Sequence, residues 1–311
     1  MAFENTADYY VNPVLTQTSI RYSNDPGDYL SEKIFPVLTV GKKTGYIFKY
    51  DKSNLKTSDD RRAPSARANR VQYGMTKTTY GPLIKHALEI DIDEDIMEMY
   101  DSPLEPQVDA TMAVTEMFEL NKDVALATFL AVAGNLGASV TLSGTSQWND
   151  YANSTPFTDI ETGVSTVIQT AIKTPNTLLM GYPVWSVLKN HPDMLERIKY
   201  STLGTLTESL LSNLTQIPNL IIGKSVYNSA ADGLTDAMAF VWGKNAWIMY
   251  ITGAPGLRQV TAGYTLSNPA FRKVDSWYEI WNTTTFVRVQ DFYQQFVIAK
   301  ECIYGILNAV A

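Results

Sequence analysis

The chain has 311 residues, 45% of them hydrophobic and 18% charged, which suits one elaborate domain or two to three subdomains sharing a core and excludes a disordered polypeptide. A net charge of -7 excludes binding of nucleic acid by neutralising phosphates over the whole surface. The lone cysteine, Cys302, excludes an intramolecular disulfide, and its apolar neighbours point to a buried, inert thiol in a reducing compartment.

Residues 1 to about 32 mix the turn formers Asn12-Pro13 and Asp25-Pro26-Gly27 with scattered aromatics, which reads as an extended arm. The opening MAFENTADYY has neither the basic nor the apolar region of a signal peptide, and the nearly apolar run Val124 to Ala133 is short of the ~20 residues a membrane helix needs. Between Gly41 and Lys85, strand-like stretches at Gly45–Tyr50 and Asn69–Tyr73 flank a polar tip, Asp59–Ala66, as in a long two-stranded excursion. It has too few apolar residues for a core of its own and must lie on something else. Leu88–Asp95 then alternates, with Leu88, Ile90 and Ile92 on one face and acids on the other, the pattern of a half-buried strand.

Ser102-Pro103-Leu104-Glu105 is a capping box with proline at the first helical position. Met117, Leu120, Val124, Ala127 and Ala131 recur at spacings of three and four, so a long helix is expected, ending near Gly134 or Gly137, its second half apolar all round and therefore buried. From Val140 to about Ala262 the pattern is α/β: helices at 158–173 and 182–190, short strands at 176–180 and 219–222, and a hairpin of 239–242 with 246–251 around Gly243-Lys244-Asn245. Three strands are expected at 277–281, 284–289 and 295–307. They and the long helix both need partners, so they are paired as one subdomain into which the middle region is inserted.

Catalytic chemistry finds little support. The two histidines, His86 and His191, are isolated in sequence; His191, in Asn-His-Pro-Asp, suits a helix cap better than a ligand, and no nucleophile motif accompanies His86. Asp91-x-Asp93-x-Asp95 mimics the start of a calcium loop but then has Ile96 where the turn glycine belongs and Ser102 where the bidentate Glu belongs. No phosphate-cradling glycine loop occurs. No catalytic residue, metal ligand or cofactor is expected.

Charge is the more informative pattern. Lys42 to Lys85 holds eleven Lys and Arg against three Asp, whereas Leu88 to Asp123 holds twelve Asp and Glu against Lys122 alone. A solubility requirement explains two adjacent blocks of opposite sign poorly. The expected contact sets are Arg61, Arg62, Arg67 and Arg70 on the excursion and Glu89, Asp91, Asp93, Asp95 and Glu98 on the acidic face of a neighbouring copy.

Several segments in order resemble the tailed-phage major capsid proteins with the Hong Kong 97-like fold: Val11-Asn12-Pro13, EKIFPVLTV from Glu32, VTLSGTSQWNDYANSTPFTDIE from Val140, PNTLLMGYPVWSVLKNHPDMLERIKY from Pro175 and VWGKNAWIMYI from Val241. The resemblance implies an α+β fold with an N-terminal arm (1–40), an extended β-loop (41–87), a peripheral domain with a long spine helix (88–139), an axial α/β domain (140–265) and C-terminal strands completing the peripheral domain (266–311). It implies a non-enzymatic subunit that self-assembles into pentamers and hexamers of an icosahedral head around double-stranded DNA. That head would be assembled in the host cytoplasm without a membrane, with portal, scaffolding and decoration proteins as partners and only weak, non-specific proximity to DNA. A nanocompartment shell protein of the encapsulin type is the alternative within the fold, and an α/β enzyme built on the middle region is the alternative outside it.

Overall fold

The computed structural model describes residues 29–311 apart from 51, 63, 65, 66, 69, 72, 73, 96–105, 200–205, 232, 257 and 258. In chain order the elements are α1 (Ser31–Ile34), β1 (Val37–Thr39), β2 (Gly45–Tyr50), β3 (Met75–Tyr80), β4 (Ile84–Asp93), α2 (Pro106–Leu130), β5 (Ala138–Thr141), α3 (Pro156–Ala171), β6 (Thr177–Gly181), α4 (Tyr182–Leu188), α5 (Pro192–Ile198) and α6 (Glu208–Thr215). There follow β7 (Asn219–Gly223), β8 (Val226–Asn228), β9 (Met238–Phe240), β10 (Ala246–Met249), β11 (Gly263–Ser267), β12 (Lys273–Glu279), β13 (Thr284–Val297) and β14 (Ile303–Leu307).

The first sheet is built on β13, a 14-residue strand that pairs antiparallel with β12, β11 and β4, while β1 adds parallel to β11. Val287 and Val289 of β13, Val274 of β12 and Ile92 of β4 point to one side, where Ala110, Val114 and Phe118 of α2 cover them. The alternate residues of β4, Glu89, Asp91 and Asp93, stay exposed, as period-two geometry requires.

In the second sheet, ordered β5-β14-β10-β6-β7, the three central strands are buried on both faces and accordingly read as nearly continuous apolar runs. Leu178, Met180, Ala246, Ile248 and Ile306 face the layer of α3 to α6, where Ile160, Val167, Val184, Leu188 and Leu211 pack. Leu179, Trp247 and Met249 face the opposite way, onto Leu126 and Leu130 at the end of α2 and Ile34 and Phe35 of the α1 segment. Trp247 Nε1 donates to the carbonyl of Leu130 at 2.9 Å, so the far end of α2 is fixed to this sheet while its near end packs on the first.

Among the described residues the ribbon of β2 and β3 pairs with no third strand, and its root rests on the first sheet through Ile47, Tyr80 and Leu83 against Tyr264 and Leu266. Its second strand is Met75–Tyr80 and not Asn69–Tyr73, of which residues 69, 72 and 73 lie outside the described residues. Residues 75 to 79 are all exposed, so no apolar alternation marked them; the pairing of Gly45 with Tyr80 through Tyr50 with Met75 sets the register.

Other expectations are corrected. The capping box at 102–105 lies outside the described residues, and the described helix ends at Leu130, before Gly134. Its buried stripe is Ala110, Val114, Phe118, Lys122, Leu126 and Leu130, whereas Met117 and Ala131 of the expected stripe are exposed. The second half is not buried all round, because Ala125, Thr128 and Phe129 face solvent in the single chain. The hairpin around Gly243-Lys244-Asn245 does not form either. Among the described residues β9 pairs only with β8, while β10 enters the second sheet between β6 and β14, where the Gly181 backbone comes so close to the Gly243 carbonyl that a Cβ there would collide with it.

The strand expected at 295–307 is two elements in different sheets: β13 runs on to Val297, a 3-10 turn at Lys300–Cys302 changes direction, and β14 joins the second sheet between β5 and β10. Residues 266–311 therefore do not all stay with α2, since the last strand closes the sheet of the inserted region.

Candidate assembly interface

Among the described residues, the one cluster that looks catalytic is a cap. His191 Nδ1 accepts from the Asp193 N–H at 3.1 Å at the start of α5, which leaves the ring proton on Nε2 to donate to Ser154 Oγ at 2.9 Å. The Ser154 hydroxyl in turn donates to the Asp150 carbonyl at 2.7 Å. A histidine whose free nitrogen is already a donor cannot take a proton from serine, so the chain is locked in the wrong sense for nucleophilic catalysis. It ties the 150–154 loop to α5 instead, with Tyr151 edge-on against the imidazole.

Burial holds the His191 pKa below its ordinary value although Asp193 pulls it upward. With the folded pKa below the unfolded one, the stability His191 contributes is complete above about pH 6.5 and is lost as pH falls through that window toward the folded value. His191→Asn keeps a capping acceptor and removes the titration. Urea midpoints of the unassembled subunit should therefore fall less steeply between about pH 6.5 and 5 for this variant than for wild type. Parallel curves would show that the imidazole bears no such load.

His86 also has its pKa lowered by burial, with Asp291 opposing; it stacks on Tyr293 at 4.1 Å and has no nucleophile beside it. Among the described residues no group of three His, Cys, Asp or Glu could hold a metal ion, and Cys302 is buried with its thiol pushed up to about 12 by burial.

The charged sets lie as follows. Arg61, Arg62, Arg67 and Arg70 are all exposed on the segment between β2 and β3. Glu89, Asp91 and Asp93 line the outer face of β4, Asp95 follows exposed, and Glu98 lies outside the described residues. No ion pair described within the chain joins Arg61, Arg67 or Arg70 to the acids of β4. The root of the ribbon is instead anchored in its own subunit, where Lys49 Nζ reaches both Glu301 oxygens at 3.0 and 2.8 Å and Lys52 stands 3.8 Å away. Burial raises the Glu301 pKa, but the Lys49 hydrogen bond, a backbone N–H and the charges of Lys49 and Lys52 together outweigh it and hold the carboxyl below the ordinary range.

Not all the acids counted between Leu88 and Asp123 belong to an outer face. Glu119 and Asp123 are buried: Lys122 Nζ, itself buried, bonds Glu119 at 2.9 Å and Glu32 at 3.3 Å, and the Asp123 carboxylate accepts the Leu30 N–H at 3.0 Å and the Ser31 N–H at 2.6 Å. This cluster docks α1 on the middle of α2. Its signal was present in the sequence as Glu119, Lys122 and Asp123 at helical spacing, but counting them as surface charge hid it.

No family model matches the chain. Among solved structures it is similar to a phage-related protein from Bordetella bronchiseptica, with a TM-score of 0.76 and 22% identity over 97% of this chain and 98% of that one, a likeness of fold. In sequence it is 29% identical over 303 residues to the major capsid protein of Burkholderia phage BcepMu, covering 94% of this chain and 95% of that protein. It is 24% identical over 252 residues to the major capsid protein of Pseudomonas phage JBD67, covering 79% of each. The chain belongs to the phage major capsid proteins of the Hong Kong 97-like fold.

This capsid protein is a structural component of the virion head and its family is not enzymatic. Fold alone would not separate a head from another shell, since a virus-like particle from Pyrococcus furiosus is also similar, with a TM-score of 0.55 and 12% identity over 94% of this chain and 97% of that one. The two curated relatives decide for the phage head over the nanocompartment. No helix among the described residues of the capsid protein is long and apolar enough to cross a membrane.

Proposed function

We propose that copies of this capsid protein associate through heterologous contacts into pentamers and hexamers, and that these close an icosahedral head around double-stranded DNA. The observation that carries the reading is the β2–β3 ribbon, anchored at its root, whose arginine-bearing segment is exposed, as are the acids of β4, with no described ion pair joining Arg61, Arg67 or Arg70 to those acids within the chain. A patch and its complement on different faces of one subunit generate rings when the rotation closes.

In this arrangement Arg61, Arg62, Arg67 and Arg70 of one copy lie on Glu89, Asp91, Asp93, Asp95 and Glu98 of the next. Residues 1–40 act as the arm, 41–87 as the extended loop, 88–139 with the first-sheet strands after 265 as the peripheral domain with its spine helix, and 140–265 with the last strand as the axial domain. Scaffolding, portal and decoration proteins are the further partners. A chain of net charge -7 contacts packaged DNA weakly, so filling must be driven from outside.

Electron microscopy and sedimentation of the purified full chain test the reading, with a separate scaffolding protein supplied where needed. Closed shells of five- and six-membered capsomers are expected, and a monomer under every salt and scaffold condition would overturn it.

A further inference from the structure

Among the described residues, the most exposed large apolar side chains sit together at the tip joining β12 to β13. Trp281 is 94% and Ile280 81% accessible. Scattered surface hydrophobics need no explanation, but a tryptophan stripped of almost all cover at the apex of a hairpin is the side chain most often found at the centre of an interface. The tip is also held in place from below. Trp277 and Phe286 stack with centroids 5.4 Å apart, the Glu94 N–H donates to the Thr283 carbonyl at 3.1 Å, and the Tyr278 hydroxyl donates to Glu94 Oε2 at 3.1 Å. Little ordering is left to be done on contact.

The surroundings say what the tip would accept. Register places Asp93 and Glu279 on either side of Thr284, and Glu94 is bonded to the turn itself, so three acidic residues stand at the base of the turn that carries Trp281. An acidic partner is repelled, whereas a cation is drawn toward an indole carried on an acidic turn. Guanidinium groups suit such a site better than ammonium groups because they are planar and weakly hydrated. This chain carries exposed arginines at 61, 67 and 70, with Val71 beside them 70% accessible, beyond the open end of a six-residue ribbon that spans about 20 Å from its root.

We propose that the Ile280–Trp281 tip is the anchor on a second copy of this chain that receives the arginine-bearing segment after β2, with a guanidinium lying over the Trp281 indole. This rests on the shell arrangement proposed above and adds the residue on which that contact turns: the acids of β4 set orientation, and the aromatic tip holds.

Two experiments on the full-length protein decide it. In shell assembly followed by light scattering and electron microscopy, Trp281→Ala should lower shell yield at least tenfold at a fixed protein concentration, with circular dichroism unchanged, and Trp281→Phe should keep most of it. In mixed assembly, subunits carrying Ile280→Cys are combined with subunits carrying Arg61→Cys, Arg67→Cys or Arg70→Cys. Mild oxidation should then give a disulfide-linked dimer containing one of each, with at least one of the three arginine positions. Normal shells from Trp281→Ala, or shells in which Ile280→Cys links only to another Ile280→Cys, would overturn the proposal while leaving the shell reading intact. A wild-type chain that forms no shell under any condition would remove both.

Discussion

Reversing Arg61, Arg62, Arg67 and Arg70 to Glu is expected to block or strongly slow shell formation while the subunit stays folded. All four side chains are exposed, so their reversal removes no core packing, and the β2–β3 root keeps Ile47, Tyr80 and the Lys49–Glu301 pair. One exposed ion pair contributes only ~0.2 to 1 kcal/mol. Four per subunit, turned from attraction to repulsion, amount to several kcal/mol at each interface, and every tenfold change in affinity needs only about 1.4 kcal/mol. The shell repeats the contact at every subunit, so a modest local change becomes a failure to assemble. Wild-type assembly should also slow steeply as salt rises, because complementary charge acts first on encounter. The companion reversal of Glu89, Asp91, Asp93 and Asp95 to Lys should fail alone and restore shells when mixed with the arginine reversal. Unaltered shells from the arginine variant, with unaltered salt sensitivity, would show that the ribbon is held by something else.

What could be read from the sequence followed the physics of each signal. β6 and β10 of the second sheet were legible because a strand covered on both faces is apolar at almost every position, as in Thr177–Gly181 and Ala246–Met249. Their partners were not, because a run that is buried all round carries no record of which neighbour it pairs with. β10 therefore looked like half of a hairpin with β9 when its partners, β6 and β14, lay far off along the chain in either direction. β3 was misplaced because it is exposed on both faces and has no periodicity to read. On α2 the apolar rule found only one edge of the buried face, Leu120, Val124 and Ala127, and missed its centre, since that face is held partly by charge: Glu119, Lys122 and Asp123 lie inside among Phe118 and Leu126. The cap role of His191 was legible because Asn-His-Pro-Asp is local chemistry; its bond to Ser154, 37 residues away, was not.

That internal charge on α2 has the largest expected effect on stability. Asp123 is fully buried and takes the N–H groups of Leu30 and Ser31, so Asp123→Ala leaves two buried donors without an acceptor and undocks α1 from α2. Each orphaned group costs about 1 to 3 kcal/mol, for a total of several kcal/mol. Lys122→Met should cost about 3 to 5 kcal/mol at neutral pH, because it leaves the buried Glu119 carboxylate without its counter-ion at 2.9 Å. The two variants part company with pH. Burial already raises the Glu119 pKa against the pull of Lys122, and removing that lysine raises it further. A carboxyl whose folded pKa exceeds its unfolded value contributes stability that is complete below the unfolded value, about 4.3, and is lost as pH rises through the folded one. Relative to wild type at the same pH, Lys122→Met should therefore recover stability as the solution is acidified from 7 toward about 5, where Glu119 takes up a proton and no longer needs a partner. Asp123→Ala should recover less, since the donors it orphans are backbone amides that do not titrate, and wild type gains slightly on acidification because burial raises the Asp123 pKa too. Urea unfolding of both unassembled subunits at pH 7 and 5 measures the difference, and equal recovery in the two would mean that the charge on Glu119 is not what Lys122 is there to balance.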